Sequence, residues 1–590
     1  MDERVVVGDF LKDPLERLVN RVSACLVREP KYYEDSTNRL KDISNDMTEV
    51  SSIDPEFICQ LAYFTRNHLN LRAMSNYIVA WAASHPVCKT FLKKYFSHTI
   101  RLPGDLIEVV EFYQLITQGE GNSKMLKIPR CLREVITSKF SEFSVYHLGK
   151  YCSEGKRKRS LLKKNSSSRK GKISMKQIIR LCHVKSPASS VMCVLGKRYP
   201  ENSDVFAESG LNVEGEFNPS LSGKRMKIET PVTWETQLSA GGNKPEIWES
   251  LIKSRKLPFM AMLRNIRNFI ITGVDQETHK IVQDRLRDPD QIEKSMLFPF
   301  RFFSAYDVLK IDLEQLQKLH DDPTFEPPVP EGKRGLKKKW LRKKIIPKNV
   351  PTQATIDEYK SALEESVKLA TALNVKPIKG HSVIFCDTSG SMRCRISGDM
   401  TFGSVRCCME LGILFGMMLR HVCESSQVYL LSSPKPPETP TCWLPVELEG
   451  DNILDQMQTA MTLSEKLGYD NDYPFDWFDE IIEKKVHIDN MFIFSDMIIS
   501  TEKMNTTFNQ DNRGRTVSGI LEKYRNEVNP NMKYITIDLA GYGRDMLGAD
   551  LEDRGKNIVV AGYSDAVLKL VSELQTSQVQ AVRESALKIS

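Results

Sequence analysis

Apolar residues recur three and four positions apart through the first half of the chain, from residue 10 to residue 320. The segment 54–85 shows two such stripes, with Asp54 in the position of an N-cap and Pro55 at the first helical position. The same spacing predicts further helices at 104–117, 129–141, 174–182, 246–253 and 258–271. These helices are short and joined by brief turns that contain Pro or Gly. The pattern therefore predicts stacked antiparallel helix pairs, although no strict sequence period is present.

The hydrophobic pattern changes at His381. Continuous apolar runs that are typical of buried strands occupy 381–387, 427–433, 487–496, 532–541 and 557–562. Helical segments alternate with these runs at 401–422, 515–527 and 564–574. Strands that alternate with helices predict a parallel sheet covered on both faces, which is a doubly wound α/β domain.

The two patterns are separated by a Pro-rich segment, 321–350, and a helix predicted at 354–373. We therefore predict two domains. The first, residues 1–350, is an all-helical domain of HEAT-like repeats. The second, residues 375–577, is a doubly wound domain resembling a Rossmann fold.

The charge of the chain divides in a similar way. The 590 residues include 83 Lys and Arg and 76 Asp and Glu, for a net charge of +7. Residues 381–590 hold 20 basic and 30 acidic residues, so a net −10 there leaves +17 on residues 1–380. Two basic segments, 151–172 and 331–350, carry much of that excess. This asymmetry indicates that the N-terminal part faces a polyanion, whereas the alternatives for the basic segments are solvated loops or a nuclear-import signal.

Several classes of protein are excluded by composition and motif. No run of about 18 apolar residues occurs, so no membrane-spanning helix is predicted. The N-terminus lacks the apolar core of a signal peptide, and the 13 Cys include no CxxC pair, so we expect a cytoplasmic and/or nuclear protein that is not secreted. No HExxH, GxSxG or P-loop motif is present and the ten His are dispersed, so we expect no enzymatic activity.

A row of basic residues lies on the helix predicted at 174–182. Lys176, Arg180 and His183 are spaced i, i+4 and i+7, which places them on one helical face, and Lys185 follows. Ile178, Ile179 and Cys182 take the opposite, apolar face. Cations and an imidazole in one row suit phosphate oxygens and an unpaired base. The alternative is an ordinary solvated helix face.

A second candidate site follows the first predicted strand. Asp387, Ser389 and Ser391 of the sequence DTSGS bring a carboxylate and two hydroxyls to one turn at the carboxyl end of that strand. Asp496 ends a later strand, and ligands of doubly wound sheets bind in the crevice beyond such strand ends. Hard cations such as Mg²⁺ take oxygen ligands of this kind. The alternative is a turn whose Ser hydroxyls only satisfy the backbone.

These residues resemble the metal-ion-dependent adhesion site of a von Willebrand factor A domain. The resemblance implies that Asp387, Ser389 and Ser391 ligate a divalent cation, Mg²⁺ or Mn²⁺, with Asp496 in support. The family also uses a Thr from an intervening loop. The matching loop here, 468–472, reads Gly-Tyr-Asp-Asn-Asp and has no Thr, which puts the occupancy of the site in question.

The helical part resembles a second family, the TROVE module shared by the Ro autoantigen, telomerase-associated proteins and vault-associated relatives. The resemblance lies in the segments LCHVKSP (181–187), TWETQLSAGGNKPEIWESLI (233–252), LPFMAMLRNIRN (257–268) and FPFRFFSAYDVL (298–309). It is strongest toward the telomerase-associated branch, through GKRMK (223–227) and PFMAMLRN (258–265). Large members of that branch continue beyond an A domain, so a chain ending at Ser590 is expected to be a short member or a fragment.

The TROVE resemblance implies a ring of helical repeats closed by the A domain and a protein that binds small noncoding RNA. The basic helix that contacts RNA in the family matches Lys176, Arg180 and His183. We therefore expect an RNA-binding ribonucleoprotein subunit whose ligand is telomerase RNA, vault RNA or a Y-like RNA, with protein partners bound through the acidic A domain. The alternatives are a protein-interaction scaffold that acts through a metal-dependent A domain, and a Ro-like RNA quality-control factor.

Overall fold

The computed structural model describes most of the chain, and the structural statements below refer to these residues. They are 13–23, 36–118, 127–152, 173–228, 232–297, 299–309, 311–325, 345–393, 407–470, 472–497, 515–539, 556–561, 568, 578–587 and 589. The basic segments predicted at 151–172 and 331–350 therefore lie largely outside the described residues, as does the helix predicted at 564–574.

The described chain divides into two compact units. We call the described residues up to Ile228, together with the C-terminal helix, the N-terminal unit, and those from Val232 to Leu568 the C-terminal unit. The limits predicted above, residue 350 for the end of the first domain and residue 375 for the start of the second, rest on the change in the hydrophobic pattern and stay a prediction.

The N-terminal unit is helical. Its helices are α1 Pro14–Ser23, α2 Ser36–Ile53, α3 Pro55–Asn67, α4 Arg72–Ser84, α5 Leu92–Thr99, α6 Pro103–Gln118, α7 Arg130–Glu142, α8 Val145–Cys152, α9 Met175–Cys182, α10 Ala188–Leu195 and α11 Ser203–Glu208. The C-terminal helix of the chain, Gln578–Ala586, packs against α1 and α3 of this unit.

Local sequence signals explain where these helices begin. The carboxylate of Asp54 accepts a hydrogen bond from the backbone N–H of Phe57, and Pro55 occupies the first turn of α3, as predicted. The apolar faces meet in a core around the fully buried Phe57 and Trp81. Burial of such aromatic side chains supplies most of the stability of short helices, which are marginal alone.

One buried carboxylate joins three elements of this unit. Asp105 in α6 is completely buried, and its carboxylate lies in ion pairs with Arg66 and Arg72. The same carboxylate accepts hydrogen bonds from the backbone N–H groups of Arg101 and Leu102. A buried charge is tolerated only when it is paired and hydrogen-bonded in this way.

The C-terminal unit begins with helices and continues into a sheet. Its elements are α12 Trp234–Gly241, α13 Pro245–Lys253, α14 Phe259–Thr272, α15 Gln276–Leu286, α16 Pro289–Ser295, α17 Pro299–Asp307, α18 Leu313–Asp321, α19 Gln353–Asn374, β1 Ile378–Asp387, α20 Cys408–Val422, β2 Cys423–Leu431, β3 Trp443–Pro445, α21 Ile453–Leu463, α22 Phe475–Glu483, β4 Asn490–Ser495, α23 Val517–Glu527, β5 Lys533–Asp538 and β6 Asn557–Ala561. The helix Gln578–Ala586 is α24.

The long helix α19 links the helical and the sheet parts of this unit. It packs against α15, α16 and α17 on one side and against α20 and α21 on the other. Its Glu364 is buried, and the carboxylate accepts hydrogen bonds from the backbone N–H groups of Ile453 and Leu454 at the start of α21. The carboxylate thus satisfies two amides that a helix N-terminus leaves without an intrahelical partner.

The strands form a six-stranded sheet in the order β3-β2-β1-β4-β5-β6. All neighbouring pairs are parallel except β2 and β3, which are antiparallel. The strand β3 was not predicted, and it makes the sheet mixed rather than wholly parallel. The connection 432–442 is too short for the crossover that a parallel neighbour requires, so the chain returns as a hairpin.

Helices cover both faces of the sheet, as the alternation of strands and helices predicted. On one face, Val383 and Phe385 of β1 pack with residues of α22 and α23, including Trp477 and Tyr524. On the other face, α20 lies against β1, β2 and β4. Close approach on that face depends on Gly416, since a Cβ there would lie 2.5 Å from Cys386 Sγ.

Candidate nucleic-acid interface and metal centre

The helix α9 carries the predicted basic row, and its ends are fixed by local hydrogen bonds. Ser174 and Gln177 form a capping box, in which each side chain binds the backbone N–H of the other residue. The side chains of Ile178, Ile179 and Cys182 are buried, as predicted. The opposite face of α9 is therefore the one available to a ligand.

The structure places two of the predicted basic residues within α9 and the other two at its end and beyond it. Lys176 is half-buried and Arg180 is exposed, and both lie within α9. His183 is the C-cap residue, with a φ of 55°, so the helix has ended before it. The N–H of His183 still donates to the carbonyl of Ile179, and the left-handed conformation turns the backbone out of the helix only after His183. Lys185 is exposed in the segment that follows.

The break at His183 follows from the sequence after the helix. The backbone N–H groups of His183 and Val184 both donate to the carbonyl of Ile179, which closes the last turn. Pro187 then begins the approach to α10 and has no N–H to extend a helix. Histidine is among the residues that tolerate the left-handed region, so no glycine is needed here.

The basic side chains around α9 have no acidic partner in the part of the chain that the structure describes. No carboxylate lies within ion-pair distance of Lys176, Arg180 or Lys185 among those residues. A surface lysine or arginine without a partner retains its full charge for an external anion. These cations could therefore contact phosphates without first breaking an ion pair.

Two further arginines lie close to α9 and were missed by the sequence analysis. Burial raises the pKa of the Cys182 thiol to about 12, and the nearby charge of Arg133 in α7 opposes that rise. Arg133 Nε is buried and has no hydrogen-bond partner among the described residues. Arg225 lies with Lys176 near the thiol of Cys152, whose pKa is raised by burial. Only the fold brings these residues together, because they are distant in sequence.

The second candidate site lies at the carboxyl ends of β1 and β4. Asp387 is completely buried, and one carboxylate oxygen accepts a hydrogen bond of 2.9 Å from the backbone N–H of Ser389. The other oxygen accepts a hydrogen bond of 2.5 Å from Ser495 Oγ. The hydroxyls of Ser389 and Ser391 lie 3.2 Å apart. The carboxylate and the hydroxyls therefore meet at one turn, as predicted.

Asp496 follows β4 and is almost fully buried. Burial raises the pKa of Asp387 to about 6, and the charge of Asp496 contributes to the rise, which shows that the two carboxylates are close. Asp538, the last residue of β5, is also buried, and it pairs in register with Ser495. The sequence analysis did not single out Ser495 or Asp538, although each lies at the carboxyl end of an apolar strand.

The donors at this edge fit a hard divalent cation. They comprise the carboxylates of Asp387 and Asp496 and the hydroxyls of Ser389 and Ser391, all oxygen ligands of the kind that Mg²⁺ and Mn²⁺ accept. Within the described residues no three or more His, Cys, Asp or Glu side chains cluster as a metal site. An ion held here would therefore depend on the serine oxygens and on water to complete its coordination.

The loop 468–472, which matches the family's Thr-bearing loop but has no Thr, packs against the DTSGS turn. The carbonyl of Tyr469 accepts a 2.7 Å hydrogen bond from the backbone N–H of Gly390. Ser432 Oγ donates to the carbonyls of Gly468 and Asp470, which fixes the loop to the end of β2. The position of the loop is thus the predicted one, although residue 471 lies outside the described residues.

No described helix is long and apolar enough to cross a membrane.

Comparison with known proteins identifies the helical part of the chain. The family model for the TROVE domain matches residues 4–177 and 163–380. Telomerase protein component 1 of Rattus norvegicus is 26% identical over 607 residues, which span 89% of this chain and 22% of the relative. The protein of the same name from Mus musculus is 33% identical over 315 residues, which span 47% of this chain and 12% of that relative.

A solved structure resembles the whole fold. The crystal structure of the RO (RSR) protein of Deinococcus radiodurans matches 95% of this chain and 99% of its own, with a TM-score of 0.52 and 15% sequence identity. At this identity the likeness concerns the fold alone. The chain spans about a fifth of the length of the rat relative that it matches.

Proposed function

Because the chain belongs to the TROVE domain family, we propose that it binds a small noncoding RNA and serves as a subunit of a ribonucleoprotein. Telomerase RNA is the favoured ligand, since the two mammalian relatives carry the name telomerase protein component 1. Vault RNA and Y-like RNA are the alternative ligands. The proposed activity is binding rather than catalysis, and we place the protein in the cytoplasm or the nucleus.

The observation that supports this proposal is the set of unpaired cations around α9. Lys176, Arg180 and Lys185 have no acidic partner among the described residues. Each can neutralise one phosphate and release a condensed counterion, which makes binding favourable and dependent on salt. The exposed ring of His183 offers a flat surface on which an unpaired base could stack.

These roles predict different effects of substitution. Each phosphate contact contributes about −0.7 to −0.9 to the slope of log K against log[salt]. Replacing Lys176 and Arg180 together by Gln should therefore flatten the slope by about 1.4–1.8 and weaken binding about 10- to 30-fold at 0.15 M salt. Replacing His183 by Asn keeps a residue that tolerates the left-handed region but removes the ring. That variant should lose about 1–3 kcal/mol of binding with little change in slope.

The first experiment identifies the RNA that copurifies with the full chain, by crosslinking and sequencing. Fluorescence anisotropy with that RNA at several salt concentrations then compares the Lys176→Gln/Arg180→Gln variant with the wild type. The matched control is Lys89→Gln/Lys93→Gln, because these lysines have the same i, i+4 spacing, one half-buried and one exposed. Wild-type affinity and slope in the α9 variant, or equal losses in the control, would contradict the proposed interface.

We further propose that the C-terminal unit contains a von Willebrand factor A-like domain that binds Mg²⁺ or Mn²⁺ through Asp387, Ser389, Ser391 and Asp496. The support is the meeting of two buried carboxylates and two hydroxyls at the carboxyl edge of the sheet. A bound divalent cation would offset the negative charge there and could coordinate a carboxylate of a partner protein. We propose that other ribonucleoprotein proteins bind through this acidic domain.

A protein-interaction scaffold is the second candidate function. It is favoured by the net charge of −10 on residues 381–590 and by the buried acidic pair at the sheet edge. The two functions respond differently to the solvent. RNA binding through α9 should weaken steeply with salt, whereas a partner held through the cation should be released by EDTA. Copurification of proteins but no RNA, with complete release by EDTA, would favour the scaffold.

A further inference from the structure

Two separate segments of the N-terminal unit pair as a short antiparallel ribbon. The residues Arg198 and Arg225 form the bridge between them. On either side, the backbone N–H of Tyr199 donates to the carbonyl of Lys224 at 2.8 Å, and that of Met226 donates to the carbonyl of Lys197 at 2.9 Å. We call residues 197–199 and 223–227 the basic ribbon. Its hydrogen bonds fix the backbone from which its cations project.

A small apolar core holds the basic ribbon in place. Tyr199 is buried and packs with Phe206 of α11 and with Phe217, at ring-centroid distances of 5.7 and 6.0 Å. Leu211 belongs to the same buried cluster, and Met226 of the ribbon packs against it. The aromatic side chain of the ribbon is therefore used for packing and is not available to stack on a base.

The basic side chains of the ribbon are exposed and without acidic partners. None of them lies within ion-pair distance of a carboxylate in the described chain; they are Lys197, Arg198, Lys224, Arg225 and Lys227. The acidic residues of the same region lie on other segments: Glu201, Asp204, Glu208, Glu214 and Glu216. Of these, Glu214 accepts hydrogen bonds from Ser189. Five cations on two paired strands thus form an uncompensated positive surface.

This positive surface lies near the cations of α9 and the segment after it, Lys176, Arg180 and Lys185. The charges of Lys176 and Arg225 both act on the thiol of Cys152 at the end of α8. The guanidinium of Arg225 lies against Gly196 at the end of α10, since a Cβ at Gly196 would lie 2.9 Å from Arg225 Nη2. The helix α10, which ends just before the first segment of the ribbon, packs against both α8 and α9. The two sets of cations therefore lie on neighbouring elements of one compact unit.

We propose that the basic ribbon is a second nucleic-acid contact, adjacent to α9, and that its ligand is the phosphate backbone of a double-stranded RNA segment. This inference rests on the proposed RNA-binding function and deepens it. Double-stranded RNA is recognised mainly through phosphates and 2′-hydroxyls, whereas single strands are bound by stacking on exposed aromatic rings. The ribbon offers cations on a fixed backbone and no exposed ring, so it suits the duplex. The single-stranded part of the ligand is left to His183.

The test compares two triple variants of the full chain. The first replaces the three lysines of the ribbon, Lys197→Gln, Lys224→Gln and Lys227→Gln, and the arginines that form the bridge are retained. The control replaces three exposed lysines elsewhere in the same unit that also lack acidic partners among the described residues; they are Lys41→Gln, Lys93→Gln and Lys127→Gln. Both variants remove three positive charges, so their net charge is the same.

The probes are a blunt RNA duplex and a poly(U) strand of equal length, titrated at several salt concentrations. For the duplex, the ribbon variant should flatten the salt slope by about 2–3 and weaken binding on the order of 10²-fold at 0.15 M salt. The control should bind the duplex like the wild type, and poly(U) binding should change little in both variants. Circular dichroism and the melting temperature establish that the variants are folded.

The other results each refute a defined statement. Unchanged duplex binding by the ribbon variant, with a wild type that binds, overturns the ribbon site and leaves the α9 proposal standing. Equal losses on poly(U) and on the duplex assign the ribbon to single strands and overturn the duplex assignment. Equal losses in the control show a general effect of net charge and also overturn it. A wild type that binds neither these probes nor any copurifying RNA overturns the proposed function and this inference with it.

Discussion

The substitution Asp387→Asn should stabilise the sheet when no divalent cation is present, and it should abolish the response of the sheet to Mg²⁺. The carboxylate of Asp387 is completely buried beside Asp496, and burial raises its pKa to about 6. Its ionised form is therefore costly at neutral pH unless a cation compensates it. Asn has nearly the same shape and carries no charge. Its carbonyl oxygen can still accept the hydrogen bond from the N–H of Ser389.

The magnitude follows from the shift in pKa. The pKa of an Asp side chain exposed to water is ordinarily 3.8, and the value for Asp387 in the folded protein is about 6. The folded protein then binds this proton more tightly than the unfolded chain, so the contribution of Asp387 to stability is greatest below pH 4 and is lost as the pH rises through 6. Above that range the loss amounts to about 3 kcal/mol, and about half of it is already present at pH 5. The Asn variant escapes this loss.

Hydrogen exchange of a peptide that covers β1 measures the effect directly. In EDTA at pH 7.5, the protection of this peptide in Asp387→Asn should exceed that of the wild type on the order of 10²-fold, and the difference should shrink at pH 5. Comparing the two proteins at the same pH removes the intrinsic pH dependence of exchange. Adding Mg²⁺ at 100 times its Kd should then stabilise the wild type by about 2.7 kcal/mol and the variant not at all.

Two results would refute this reasoning. Equal protection of both proteins in EDTA at pH 7.5 would show that the ionised carboxylate of Asp387 does not destabilise the folded protein. A Mg²⁺ response that persists in Asp387→Asn would show that the cation binds elsewhere. Calorimetric titration with Mg²⁺ and Mn²⁺ separates the second result from a non-specific effect of ionic strength.

Two further predictions concern the packing that supports this site. Gly416→Ala should destabilise the sheet by about 1–3 kcal/mol, because the new Cβ would lie 2.5 Å from Cys386 Sγ; a melting temperature at or above that of the wild type would contradict it. Glu364→Ala should lower the free energy of local opening of α21 by about 2 kcal/mol, because the amides of Ile453 and Leu454 lose their acceptor. Unchanged protection of α21 against hydrogen exchange would contradict this prediction.

Much of the fold could be predicted because local signals and apolar periodicity agree. The helix predicted at 174–182 is α9, Met175–Cys182, and the strand predicted at 557–562 is β6, Asn557–Ala561. The segment 54–85 was predicted to be helical from its two apolar stripes, and it contains α3 and α4. In α3 and α9 the buried apolar face and a side-chain N-cap lie within a few residues of one another. Such agreement is what local sequence can encode.

The site could be predicted only in part, because its remaining features depend on tertiary contacts or on single backbone angles. The carboxylate of Asp387 and the hydroxyls of Ser389 and Ser391 are neighbours in sequence, so their meeting could be foreseen. The left-handed conformation of His183 could not, since the helical spacing continues through it. The basic ribbon could not be foreseen either, because it requires the pairing of Arg198 with Arg225, more than twenty residues away.

The distribution of paired and unpaired charges in the N-terminal unit supports the proposal that an anionic ligand binds at α9 and at the basic ribbon. The buried carboxylate of Asp105 is paired with two arginines, Arg66 and Arg72. Around α9 and the basic ribbon, by contrast, neighbouring cations lie exposed or half-buried without acidic partners in the described chain. Like charges held close together repel one another and destabilise the compact state, most strongly at low salt. A surface that served stability alone would intersperse acids among them. Phosphates of a bound RNA would supply the missing negative charge, so the ligand is the simplest physical reason for this arrangement.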